Sequence, residues 1–186
     1  MKNKVQFLLL IVFFLPLDFL ASQSDDPITI RARYGFPTPP ETETSLFYLQ
    51  RSQNANTIQY DIKLEKDGTI NLDDPIDVYW LRYNGKGERR ALKWIERNMA
   101  YGIRHKQLNK GVFEIEMIAY DDRPILVYQN SNGEIDTKMK INGKTVRFRS
   151  IFIDMVENGW FPTIKSIELF GQDLQTGEEV YERFNP

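Results

Sequence analysis

IDTKMKINGKTVRFRSIFIDMV (Ile135–Val156) contains two alternating runs and the turn between them. Ile135, Thr137, Met139 and Ile141 share one parity, while Asp136, Lys138 and Lys140 share the other. That period of two marks a strand with one face buried and one wet. Asn142-Gly143 follows, the pair that a type I′ hairpin turn favours because both central residues need positive φ. The returning run keeps Val146 and Phe148 on one parity, then changes phase at Ser150, so that Ile151, Ile153 and Met155 take the other. A one-residue phase change is what a β-bulge or bend produces. A hairpin whose long second strand bends implies a curved antiparallel sheet.

The same grammar extends in both directions. Phe47 and Leu49, then Ile58, Tyr60, Ile62 and Leu64, alternate with polar residues around SQNANT, where Asn54 and Asn56 read as a self-capped loop. Asp67-Gly68 is a hairpin signal, and IDVYWLRY (Ile76–Tyr83), apolar on both parities, reads as a central strand. VFEIEMIAY places Phe113, Ile115, Met117 and Ala119 together, Asp121-Asp122 turns the chain into ILVYQ, and TIKSIELFG and EEVYERF close the sequence. ITIRARYGF, near the N-terminus, suits an edge strand. ERRALKWIERNMAYG breaks the pattern: Leu92, Ile95 and Met99 fall at helical spacing, and Gly102 is a plausible C-cap. These segments predict a mainly β protein, an antiparallel barrel-like roll or sandwich of about nine short strands with one inserted helix of about three turns.

The first residues have a different character. Lys2 and Lys4 precede an apolar run from Phe7 to Leu15, and Leu20, Ala21 and Ser22 offer small residues for cleavage. This is the layout of a secretory signal peptide, and Pro16 and Asp18 end the run before it is long enough to span a bilayer. The expected organisation is a signal peptide over residues 1–22, a Pro-rich lead-in over 23–44 and a single β-rich domain over 45–186, exported to the periplasm or beyond. No later stretch is apolar enough to span. The 24 basic and 26 acidic residues become 22 and 25 once Lys2, Lys4 and Asp18 leave. That balance gives no basis for nucleic-acid binding. The sequence has no Cys, which excludes thiol catalysis and Cys-ligated metal.

Chemistry is sparse. His105 is the sole histidine and has basic neighbours. Carboxylate pairs exist at Asp73-Asp74, Glu114/Glu116 and Asp121-Asp122, but turns and wet strand faces account for them equally well. No phosphate-binding loop, dinucleotide fingerprint or calcium loop is present, and no cofactor is expected. Tyr79, Trp80, Tyr83, Trp94 and Tyr101 suit either a core or a ligand pocket. Arginines concentrate around the helix. Arg82, Tyr83, Arg97, Tyr101 and Arg104, with Arg51 from the opening hairpin, form the candidate site, and guanidinium groups there would favour an anionic ligand.

LFYLQRSQNANTIQYDI, DDPIDVYWLRY, NMAYGIR and SIELFGQDLQTGEEVYERFNP, in that order, resemble the bacterial family catalogued as domain of unknown function 4833. The resemblance implies an exported bacterial protein and carries no reaction, ligand or catalytic residue. Two functions follow as expectations. The first is an exported, non-enzymatic binding or envelope-associated module for an anionic or glycan-like ligand. The second is a carboxylate-dependent hydrolase of envelope polysaccharide.

Overall fold

A computed structural model describes residues 35–130, 132–158 and 161–186. The signal-peptide reading and most of the ITIRARYGF edge strand lie outside these residues. Eleven strands and one helix are present among them. In chain order they are β1 (Ser45–Arg51), β2 (Asn54–Ile62), β3 (Ile76–Arg82), β4 (Glu88–Ala91), α1 (Trp94–Met99), β5 (Ile103–Asn109), β6 (Val112–Met117), β7 (Tyr120–Gln129), β8 (Ile135–Ile141), β9 (Lys144–Asn158), β10 (Phe161–Asp173) and β11 (Glu179–Phe184). They form one mixed sheet curled into a half-barrel.

β9 is its spine. Along one edge it pairs antiparallel with β8 over Lys144–Arg147 and then parallel with β1 over Ser150–Ile153. Along the other edge it pairs with β10, which carries β11. Two arms leave that first edge of β9, β8-β7-β6-β5 from its start and β1-β2-β3-β4 from its middle. The β1–β9 pair makes the sheet mixed where the sequence predicts antiparallel pairing throughout.

The bend at Ser150 is real and has a visible cause. Gly171 of β10 faces Phe148 and Phe170 faces Ser150, so Arg149 has no opposite residue. The extra residue returns Ile151, Ile153 and Met155 to the face already occupied by Val146 and Phe148, and all five are buried. A second irregularity leaves Lys165 unopposed between Ile164 and Ser166. Asn142 (φ 48°) and Gly143 (φ 77°) form the two-residue turn that joins β8 to β9. Met139 and Ile141 are buried and Ile135 is half-buried against the same core. That core also includes Phe47, Leu49, Tyr60, Phe113, Ile115 and Leu169. Each such side chain, fully buried, favours the fold by roughly 1.5–3 kcal/mol over exposure.

Four expectations need correction. Asn54 and Asn56 lie in β2, and the loop is the two residues Ser52 and Gln53; Asn54 Oδ1 accepts the Asn56 N–H at 3.0 Å, and Asn56 Oδ1 accepts the Asn84 N–H at 3.2 Å. Asp121 and Asp122 lie inside β7, and Ile118-Ala119 make the turn instead. The helix has six residues, because Glu88–Ala91 pair with β3 as an edge strand. Beyond the helix, Ile103–Asn109 form another edge strand, β5, which is exposed from Arg104 onward and so shows no alternation. The lead-in, expected from its Pro-rich composition to pack poorly, is held at its described end: Pro37 O accepts from Gln50 Nε2 at 2.7 Å, Phe36 stacks on Phe152 at 6.3 Å, and Glu41 meets Arg149 at 2.8 Å. No helix among the described residues is long and apolar enough to cross a membrane.

Candidate functional site

A narrow pocket opens inside the curl, between β1, the segment after α1, the β6–β7 turn, β9 and β10. Its wall is aliphatic: Leu49, Ala100, Met117, Ala119, Ile151, Ile153, Met155, Pro162, Ile164 and Ile167. Tyr101, Tyr120 and Arg51 complete it, and Arg51 is the only charged residue in that wall among the described residues. The cavity volume is ≈ 40 Å³, a few times the ~10–15 Å³ that one water requires.

Arg51 is brought inside by strand parity. It lies two residues beyond Leu49 on the inward face of β1, opposite Asn54 of β2 and Ile153 of β9. Its relative exposure is 2 %. The guanidinium lies 4.9 Å from the centre of the Trp80 ring and 5.7 Å from that of Tyr101, within cation–π range of both. Nη1 donates to Tyr101 Oη at 2.9 Å. Nε and Nη2 are buried without a hydrogen-bond partner, and so is Trp80 Nε1. No carboxylate pairs with Arg51 among the described residues, although an isolated buried charge is costly.

Tyr101 is fixed from every side. Its N–H donates to Glu96 O at 2.9 Å, and its carbonyl accepts from Tyr60 Oη at 2.9 Å. Its ring meets Trp80 edge-on at 5.4 Å. Tyr60 is fully buried, and burial first, then the neighbouring Tyr101, pushes its hydroxyl well above the usual tyrosine range, so it remains a neutral donor. The short helix that delivers Tyr101 would not persist alone. It is held by Glu96, whose carboxylate accepts the Lys93 N–H at 2.7 Å and Arg90 Nη2 at 3.0 Å. Gly102 then lets the chain pass close to the helix, since a Cβ there would lie 1.8 Å from Arg97 O. Its role is close approach rather than the left-handed C-cap expected of it; the helix caps at Ala100.

Of the six candidate residues, the structure unites Arg51 and Tyr101. Arg82 ends β3 with Nε buried and unpartnered, and Tyr83 follows in the β3–β4 turn, where burial first and Tyr48 second push its hydroxyl up. Arg97 is exposed on α1. Arg104 lies on β5 and meets Glu116 at 3.6 Å, with Arg104 55 % exposed. The expected cluster of guanidinium groups therefore narrows to one buried arginine. The sequence reading names Trp80 among the aromatics but misses the aliphatic wall, which looks like any core stripe until the sheet curls.

Trp94, the helix aromatic, is 75 % exposed, and His105 is exposed on β5. Glu114 and Glu116 take the face of β6 opposite to Phe113, Ile115 and Met117. A wider groove of ≈ 700 Å³ lies on the outer face, between the lead-in and β1, β9 and β10. Its buried Gln50 already donates to both Pro37 O and Thr57 Oγ1.

No curated protein and no solved structure matches the chain. A family described as Domain of unknown function (DUF4833) matches residues 47–183, which run from within β1 to within β11 and include every residue of the pocket wall, and the chain belongs to that family.

Proposed function

We propose that this protein is a non-enzymatic binding module, exported to the cell envelope or beyond, that holds a small apolar ligand inside the curl of its sheet. The observation that carries the reading is the pocket wall, mostly aliphatic and built mainly on strands. Ligand sites are typically concave and mostly apolar with a few placed polar groups. The aliphatic wall offers little of the flat aromatic surface on which sugars stack, which favours an alkyl chain over a glycan. A hydrolase would need two carboxyls flanking its cleft. None lines this wall among the described residues, and Glu114 and Glu116 occupy the other face of β6.

The test is a titration of the purified protein with octanol and with octanoate, followed through the methyl resonances of Met117 and Met155. Saturable shifts with at least one of the two are expected. Ala119 is half-buried in the β6–β7 turn, so Ala119→Phe should fill the pocket with little strain on the core. The variant should lose the shifts while melting within a few degrees of wild type. Absence of saturable shifts with both compounds would sink the proposal.

A further inference from the structure

We infer that the ligand is an apolar-tailed carboxylate whose head group is held by Arg51, with Tyr101 as an accessory donor. The inference rests on the pocket being a binding site, as proposed above, and names what the site selects. Its basis is a one-sided inventory of polar groups. Arg51 Nε, Arg51 Nη2 and Trp80 Nε1 are buried donors without acceptors. Tyr101 Oη accepts from Arg51 Nη1, which leaves its own hydrogen to donate. No acidic side chain lines the wall among the described residues. A set of buried donors without a matching acceptor is costly unless something anionic completes it.

The geometry selects further. Nε and Nη2 share one edge of the planar guanidinium and present two roughly parallel N–H bonds, the arrangement that a carboxylate meets with both oxygens. The other edge is taken by Tyr101. Tyr101 and Trp80 hold the guanidinium plane in place through ring contacts, so little is lost in ordering it when the ligand arrives. From Arg51 the wall is aliphatic through Leu49, Ile153, Met155 and Ile164. The free space is small, and the two methionines of the wall are the side chains that can yield to an unbranched chain. The chemistry is therefore recognition of a charged head at a buried arginine with burial of the tail.

The experiment compares octanoate with octanol at neutral pH on wild type and on Arg51→Met. Wild type should bind octanoate at least about tenfold more tightly than octanol. The variant should lose that preference, its octanoate affinity falling at least about tenfold relative to its octanol affinity. Its melting temperature should equal or exceed that of wild type, because a buried charge without a partner has been removed. Equal affinity of wild type for acid and alcohol overturns the inference and leaves the apolar pocket standing; binding of neither overturns both. Unchanged octanoate binding by the variant also overturns it. Should the variant not fold, the indole N–H resonance of Trp80 in wild type decides. It should move with octanoate far more than with octanol, and an equal response to the two contradicts the assignment.

Discussion

At the scale of the residue, two glycines, Gly102 and Gly171, show how close the backbone runs in this fold. Neither has positive φ. Gly171 faces the bulge in β9, and a Cβ on it would lie 2.3 Å from Val146 Cγ2 and 2.9 Å from Arg147 O. The neighbours have little room to yield, since Val146 is fully buried and the carbonyl belongs to the spine strand. Gly171→Ala should therefore destabilise the protein by about 1–3 kcal/mol, the usual cost of forcing extra volume into a packed site. Urea unfolding would show a lower midpoint with little change in slope. An unchanged midpoint would mean that β9 and β10 separate more easily than their register implies.

At the scale of the element, β11 is tied to the far arm by a second arginine whose situation contrasts with that of Arg51. Arg123 of β7 binds Glu182 of β11 through both nitrogens, Nη1 to Oε2 at 2.7 Å and Nη2 to Oε1 at 2.5 Å. The Asn142 N–H also donates to Glu182 Oε2 at 2.8 Å, and Tyr120 stacks on Phe184 at 5.6 Å. The Arg123 hydrogen bonds, and after them the Asn142 N–H, hold the Glu182 carboxyl below its usual value of 4.5 against the opposing effect of burial. A carboxyl with a lowered folded pKa stabilises the fold fully above the unfolded value and loses that contribution as pH falls through the folded one. Wild type should accordingly melt above Glu182→Gln at neutral pH, and the gap should close progressively below about pH 4.5. A gap independent of pH would show that the pair adds nothing electrostatic. Much at this scale was legible. The Asn142-Gly143 turn and the Ser150 phase change are local facts of spacing, and β8 and β9 follow from them. The helix was overlong in the reading because Leu92 is buried by its place after β4 and only mimics the helical period with Ile95 and Met99. β5 was missed because an exposed edge strand has no buried face to alternate. At the site, Arg51 and Tyr101 were named from composition, but the burial of Arg51 without a carboxylate beside it depends on contacts among residues far apart in sequence.

At the scale of the whole molecule, the decisive feature is the parallel seam between β1 and β9, which joins the two arms and sets Arg51 beside Ile153. No local pattern announces it. Tyr48–Arg51 must find Ser150–Ile153 across the whole β2–β8 stretch, and no turn motif specifies so distant a pairing. Its end is secured by Ser52. The Ser52 N–H donates to Ile153 O at 3.0 Å, its hydroxyl donates to Met155 O at 2.9 Å, and the same oxygen accepts the Met155 N–H at 2.8 Å. Met155 also lines the pocket, so one serine couples the closure of the seam to the shape of the site. Ser52→Ala removes both side-chain bonds and leaves the N–H and carbonyl of the buried Met155 to find other partners. The expected cost is about 1–3 kcal/mol. The distribution of that loss tells more than its size. Amide exchange at Ile153 and Met155 should accelerate, while the β5–β6 hairpin, on the far arm, should keep its wild-type rates. Octanoate affinity should fall with the seam if the pocket depends on it. Uniform acceleration over both arms would instead mean that seam and arms open as a single unit, and that Ser52 stabilises the global fold without any special hold on the site.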